Sequence, residues 1–260
     1  MSVEQRRSAA DKHACDYFDV NKNHQLYCWE YLLEKVEVSP HHHVLDLGCG
    51  TGDAASIVAK TKATNGLVTA CDPDLERIRV AKRNHAEVKN LNFVHAKASE
   101  FLVGLRDNFD VIYSNLVLQW MSDSELESAL KGMYHSLKDG CITGHVFAAA
   151  VPPNMKAIKE LLPEVQQSKF EVIFRPLDPN KLKTLAEKIG FETTAIVDYP
   201  KISRFETISD YLKWLDATFH GDINFKEAWL GSAEKPQLDT LDDGALKHHA
   251  SLFFAAFRKP

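Results

Sequence analysis

The sequence predicts an α/β fold, a doubly wound and mostly parallel sheet with helical lid segments, and three observations point there. From residue 44 onward short apolar runs alternate with helical patterns, the arrangement that makes parallel strands joined by crossover helices. The first run flows through three glycines into a helix, in VLDLGCGTGD (Val44–Asp53). One helix later an acid, Asp72, closes the second run, LVTACDPD (Leu67–Asp74).

In chain order, Leu26, Trp29, Leu32, Leu33 and Val36 recur at helical spacing, so residues 1–40 read as an N-terminal helical lid segment. Its apolar face is expected to pack on the sheet edge or over a ligand. Residues 41–260 are the main domain. Val44, Leu45 and Leu47 predict the first strand, and 53–62 the first crossover helix. Leu67, Val68 and Ala70 predict the second strand, followed by a helix over 73–87 with Ile78 and Ala81 inward. Phe93 and Val94 mark a third strand, Val111 and Ile112 a fourth. Residues 122–137 form an amphipathic helix whose expected C-cap is Gly140. Ile142, Val146 and Phe147 mark a fifth strand, and VPPN (Val151–Asn154) reads as a turn. Residues 155–176 are read as helix, loop and a short extended piece at Val172, Ile173 and Phe174, and 179–189 as a helix. Phe191–Tyr199 and HHASLFFAAFRK (248–259) complete a seven-stranded sheet. Between them, 201–247 is too long for a hairpin turn and carries an aromatic helix with Phe205, Tyr211, Trp214, Leu215 and Phe219, a helical lid insert.

Composition sets limits. The 260-residue chain has a net charge of −5, so no field attracting nucleic acid is expected. Its opening, MSVEQRRSAADKHACD, lacks the apolar core of a signal peptide, and no apolar run is long enough for a bilayer; a soluble, cytoplasmic protein without a membrane partner is expected. Five cysteines, at 15, 28, 49, 71 and 141, form no C-x-x-C pair and leave an odd count, against a disulfide framework or a zinc site. His41–His43 look like a metal tract, but neighbours on an extended chain face opposite ways, and a solvated loop is expected. No metal is expected, and nothing sets the oligomeric state.

The glycine turn carries chemistry. A pyrophosphate site has G-x-G-x-x-G spacing; here the spacing is G-x-G-x-G, with Asp46 two residues before the first glycine. That carboxylate repels an anion and welcomes an ammonium or sulfonium, and S-adenosylmethionine carries both. Asp72, at the end of the second strand, stands where a carboxylate can accept from both ribose hydroxyls. The run resembles the first motif of the class I (Rossmann-like) S-adenosylmethionine-dependent methyltransferases. The resemblance implies S-adenosylmethionine as cofactor, with Asp46, Gly48, Cys49 and Gly50 around its methionine part, Asp72 on the ribose, Pro73 lining the adenine pocket and Asn115 supporting it from the fourth strand. It also implies an antiparallel C-terminal strand. Where many members place an adenine-binding aspartate this chain has Lys97, which cannot accept a hydrogen bond, leaving backbone at Ala98.

SNLVLQW (Ser114–Trp120) resembles a subgroup of carboxyl O-methyltransferases that includes the trans-aconitate, malonyl-carrier-protein and juvenile hormone acid methyltransferases. It implies that Gln119 and Trp120 face the methyl acceptor, that Gln25 and Tyr17 are candidates to assist from the N-terminal lid, and that the 201–247 insert roofs the pocket. A carboxylate acceptor is ionised at neutral pH and needs no general base; an amine or phenol usually needs one. Near SNLVLQW no such group is evident, although His145, His24 or Tyr113 could fold into place. The expected function is O-methylation of a small carboxylic acid, with Arg175, Lys201 or Arg204 available to a polyacid. Two alternatives stay open: an inactive S-adenosylmethionine-binding protein with a regulatory or assembly role, and a protein or RNA methyltransferase.

Overall fold

The computed structural model describes residues 26–260, with side chains from residue 28 onward. Strands β1 (His43–Leu47), β2 (Leu67–Asp72), β3 (Leu91–His95), β4 (Phe109–Asn115), β5 (Leu137–Ala148), β6 (Glu192–Asp198) and β9 (Leu252–Arg258) form one seven-stranded sheet in the order β3-β2-β1-β4-β5-β9-β6. Every pairing from β3 to β5 is parallel, and β9 runs antiparallel to both neighbours. The strand order reverses between β1 and β4. In an open parallel sheet that switch point, at the carboxyl ends, is where ligands bind.

Period-2 alternation assigns the two faces of the sheet. Val44, Val111 and Tyr113 belong to the core under α1 (Leu26–Val36), α2 (Asp53–Thr61) and α3 (Leu75–Asn84). Leu45, Leu47 and Ile112 belong to the opposite core, under α4 (Ala98–Phe101), α5 (Asp123–Ser136) and α8 (Pro179–Ile189). The described part of the N-terminal segment, α1, packs on the middle of the sheet at β4 and β5. Gly144 permits this, because a Cβ there would lie 2.3 Å from Val36 Cγ1. The segment's remaining residues, 1–25, lie outside those described.

Four local expectations need correction. The α5 helix ends at Ser136, and Gly140 (φ 76) is not its cap. It sits in a bulge of β5, where five steps of chain, from Leu137 to Ile142, face the two steps from Phe109 to Val111 on β4. Val172 and Ile173 belong to helix α7 (Glu164–Ile173), since Phe170 and Phe174, four apart, both pack on Phe219. VPPN opens α6 (Pro153–Lys159), with Pro153 at a first-turn position that lacks an N–H partner anyway. Finally, HHASLFFAAFRK is not one strand. It breaks at Ser251 between β9 and β8 (Leu246–Ala250), which pairs with β7 (Lys201–Phe205) in a separate antiparallel ribbon. Helices α9 (Ile208–Thr218) and α10 (Phe225–Gly231) lie between the ribbon strands.

Candidate active site

At the carboxyl ends of the central strands a single cavity runs from Gly48, Asp72, Pro73 and Asn115 to a chamber under the insert. Its rim is held by hydrogen bonds that the glycine turn makes to β2. The Gly48 and Cys49 N–H groups both donate to the Cys71 carbonyl, at 2.7 and 3.0 Å. The Gly50 N–H donates to Asp72 Oδ2 at 2.9 Å and the Asp74 N–H to Asp72 Oδ1 at 2.8 Å. Asp72 is therefore a strut between two turns as well as a group on the cavity wall.

The glycines are needed by the protein's own side chains. Gly48 (φ 76) would place a Cβ 2.4 Å from Val117 Cγ2, and Gly52 (φ 81) one 2.5 Å from the Phe93 ring. The positive φ adds strain for any other residue. Gly52→Ala is expected to cost about 1–3 kcal/mol, read as a lower urea midpoint at unchanged slope.

Asp46 is 3% exposed and points to the α1 face, with Tyr113. Its Oδ2 has no hydrogen-bond partner among the described residues. Burial pushes its carboxyl up to about 7; the nearby Tyr113 hydroxyl pulls it down and the Asp72 charge pushes it up further. Tyr113 and Asp46 do not meet hydrogen-bond geometry, so the contact is electrostatic. Asp46, Cys49, Gly50 and Ala98 are not among the residues that line the cavity. Asp46 stands behind the bend, outside the cavity lining. Burial raises the Cys49 thiol well above its ordinary range and Cys71 to about 12, so neither is a nucleophile at neutral pH. Lys97 is engaged elsewhere: its Nζ pairs with Glu125 Oε1 at 3.0 Å at the start of α5.

The other half of the cavity begins where β4 ends. Leu116 adopts φ 59, an uncommon conformation for a branched residue, and turns the chain into a 3-10 segment at Leu118–Trp120. Gln119 and Trp120 both line the cavity, in different capacities. Gln119 is 2% exposed, and its Oε1 has no hydrogen-bond partner among the described residues. The Trp120 indole N–H donates to the Leu116 carbonyl at 2.9 Å, and its ring meets Phe174 and Phe219 edge-on, each at 5.1 Å. With its only donor so used, Trp120 forms wall.

The insert closes over both halves. His220 Nδ1 lies 2.6 Å from Asp74 Oδ2, and Arg77 Nη2 donates to the Ala217 carbonyl at 3.1 Å. Against burial, which pushes it up, Asp74 is held at about 2 by the His220 hydrogen bond and the Arg77 charge. The end of α9 is thus latched to the loop that follows β2.

Of the bases considered from sequence, His145 is buried inside the sheet between Ser114 Oγ (2.7 Å) and Thr143 Oγ1 (2.9 Å), and burial lowers it to about 3. Tyr113 is fully buried and does not line the cavity. Gln25, Tyr17 and His24 lie outside the described residues. Among the three candidate cations, Arg204 binds Glu206 and Asp243, Arg175 Nε donates to the Val172 carbonyl, and Lys201 lines the chamber. Sequence reasoning missed Ser203, His220 and His248 as lining residues. Ser203 and His248 face each other across the ribbon, a pairing with no local sequence signal. Among the described residues no group of three His, Cys, Asp or Glu is placed to hold a metal, and no helix is long and apolar enough to cross a membrane.

Residues 44–140 match the methyltransferase-domain family. An uncharacterised methyltransferase of Synechocystis is 32% identical over 110 residues, 42% of this chain and 49% of that protein. A trans-aconitate 2-methyltransferase of Deinococcus radiodurans is 30% identical over 132 residues, 51% of this chain and 46% of that protein. The chain spans about half the length of these curated relatives. The YcgJ protein of Bacillus subtilis superposes with a TM-score of 0.61 at 17% identity, covering 90% of this chain and 98% of that one, and so shares its fold.

Proposed function

Starting from the class I methyltransferase fold of this chain, we propose that it is an S-adenosylmethionine-dependent methyltransferase acting on a small carboxylic acid. The observation that carries the reading is the continuity of the Gly48–Asp72 rim with a chamber walled by Trp120, Phe174 and Trp214. A chamber roofed by its own insert, which His220 and Arg77 tie down, suits a small acceptor better than a macromolecule. The residues present fit the cofactor: a buried carboxylate with an unpartnered oxygen stands behind the bend, and a second carboxylate lies on the cavity wall.

When bound at the Gly48–Gly50 turn and Asp72, S-adenosylmethionine would supply an activated methyl group to the acceptor's carboxylate oxygen, with S-adenosylhomocysteine as the leaving group. No proton has to move. The protein's work is then to position the partners and exclude water, worth several orders of magnitude in rate. Asp72 fixes the turn, Gln119 offers its amide to the acceptor, and the aromatic walls keep the chamber dry. The trans-aconitate relative supports an acid acceptor. A cytoplasmic setting belongs to the same reading, supported by free cysteines at 28, 49, 71 and 141.

The test is calorimetric titration with S-adenosylmethionine, then turnover on pooled small carboxylic acids, scored as S-adenosylhomocysteine formed. Product is expected. Binding without product would favour an inactive binding protein, and label from the donor entering only macromolecules in cell extract would overturn the small-acid reading. Gln119→Leu is expected to lower kcat/KM about tenfold or more while leaving S-adenosylhomocysteine affinity unchanged. Its stability should hold, because the substitution removes an unsatisfied buried oxygen.

A further inference from the structure

The end of α9 is tied to the cofactor rim on both sides of one residue, Thr218. On one side the Ala217 carbonyl accepts from Arg77 Nη2 at 3.1 Å; on the other, His220 Nδ1 lies 2.6 Å from Asp74 Oδ2. The Asp74 N–H donates in turn to Asp72 Oδ1 at 2.8 Å. His220 keeps its place at φ 57, where a helix end ordinarily takes glycine. The Gly221 N–H donates back to the Asp216 carbonyl at 2.8 Å and closes that turn. A glycine would adopt the conformation at less cost but could not reach Asp74. Thr218, Arg77 and His220 line the same cavity as Asp72 and Pro73. We propose that Thr218 is a cofactor-binding residue carried by the insert: its hydroxyl donates to a ribose oxygen whose own hydrogen is accepted by Asp72.

Two observations carry this. Thr218 Oγ1 is buried and has no hydrogen-bond partner among the described residues. A threonine in the last turn of a helix can turn its hydroxyl onto the carbonyl four residues back; Thr218 does not. A buried hydroxyl left unpaired is costly, and a ligand in the adjoining cavity removes that cost. Rotation about one side-chain bond exchanges the hydroxyl with the methyl group, so the oxygen can face the cavity with no change in the backbone. The second observation is the chemistry of Asp72. An ionised carboxylate only accepts, and each of its oxygens already takes one backbone N–H. It can take the hydrogen of a ribose hydroxyl but offers nothing to that group's oxygen. A threonine hydroxyl supplies the missing hydrogen. Position decides which ligand group Thr218 meets: its two ties, Asp74 and Arg77, belong to the segment that follows Asp72, whereas Gln119 stands at the exit of β4. The seat of the insert and the seat of the cofactor are then one.

The inference rests on the proposed function for its cofactor, and the test separates the two. The full chain is titrated calorimetrically with S-adenosylhomocysteine and with its 2′-deoxyribose and 3′-deoxyribose analogues. Thr218→Val removes the hydroxyl at nearly constant shape; Thr218→Ser keeps it. Thr218→Val is expected to bind S-adenosylhomocysteine about tenfold more weakly than the native protein, the scale of one hydrogen bond. Thr218→Ser should bind it as the native protein does. Against the analogue that lacks the hydroxyl Thr218 meets, the native protein and Thr218→Val should bind alike, a result that a merely structural role would not give. If Thr218→Val fails to fold, Thr218→Ala takes its place. Native-strength binding by the variant without the hydroxyl, or a loss that persists in full against both analogues, overturns the contact and leaves the cofactor reading standing. Failure of the native protein to bind S-adenosylhomocysteine overturns that reading, and the contact with it.

Discussion

Asp72→Asn is expected to weaken S-adenosylhomocysteine binding by about a hundredfold or more and to lower stability by about 2–3 kcal/mol, the range for hydrogen bonds to a charged group. The reason is the double use of the side chain. Each carboxylate oxygen accepts one backbone N–H, from Gly50 and from Asp74. An asparagine keeps only one acceptor atom, so whichever way the amide is turned, its NH2 faces a backbone donor. Either the glycine turn or the start of α3 must then shift. Asp74 caps α3 through Oδ1, accepting from the Glu76 and Arg77 N–H groups, and latches the insert through Oδ2. The change therefore spreads from the cofactor rim to the roof of the acceptor chamber. Calorimetry and urea titration read the two losses separately. Native-like stability with native-like binding would show that Asp72 is not the strut.

How much of this was legible in the sequence depends on the range of the contacts. The strand–turn–helix around Gly48 and the acid at Asp72 are local patterns, and both are found where periodicity and spacing put them. So are the strands from β1 to β4, whose apolar residues alternate or run continuously over a few positions. The failures lie where a distant partner decides the outcome. Nothing between Leu137 and Gly140 announces that Lys259 will accept from the Gly140 N–H and hold a bulge open. Nothing in HHASLFF announces that Ser251 divides two sheets. The same holds for the site. SNLVLQW pointed to Gln119 and Trp120, but the use of the Trp120 N–H depends on the backbone turn at Leu116. The ribbon side chains Ser203 and His248 required a register between residues some 45 apart in the chain, and Lys201 was one of three cations that the sequence could not rank.

Asp46→Asn is expected to move binding and stability in opposite directions, the reverse of what Asp72→Asn does. Both acids are nearly buried, at 3% and 5% exposure. They differ in partners: Asp72 is saturated by backbone donors, whereas Asp46 Oδ2 has none among the described residues. Burial has raised Asp46 to about 7, from about 4 in an unfolded chain. Between those values the native state binds more protons than the unfolded one, so this group's contribution to stability falls as pH rises from about 4 to about 7 and is flat outside that window. An asparagine does not ionise. The variant should therefore match the native protein at pH 4 and exceed it at pH 8, by about 1–3 kcal/mol given that the full shift sets a ceiling near 4. Binding goes the other way. A cation seated on the glycine bend favours the ionised carboxylate behind it, so native affinity for S-adenosylmethionine should climb as pH passes about 7. In Asp46→Asn that climb should flatten, and affinity at pH 8 should drop about tenfold, one lost charge interaction in a site of low dielectric. Melting curves at pH 4 and pH 8, with calorimetric titrations between pH 6 and pH 8, measure both. A variant less stable than the native protein at pH 8 would mean that the Asp46 charge is already matched inside the fold, and would remove the electrostatic reason for a cationic donor at this bend.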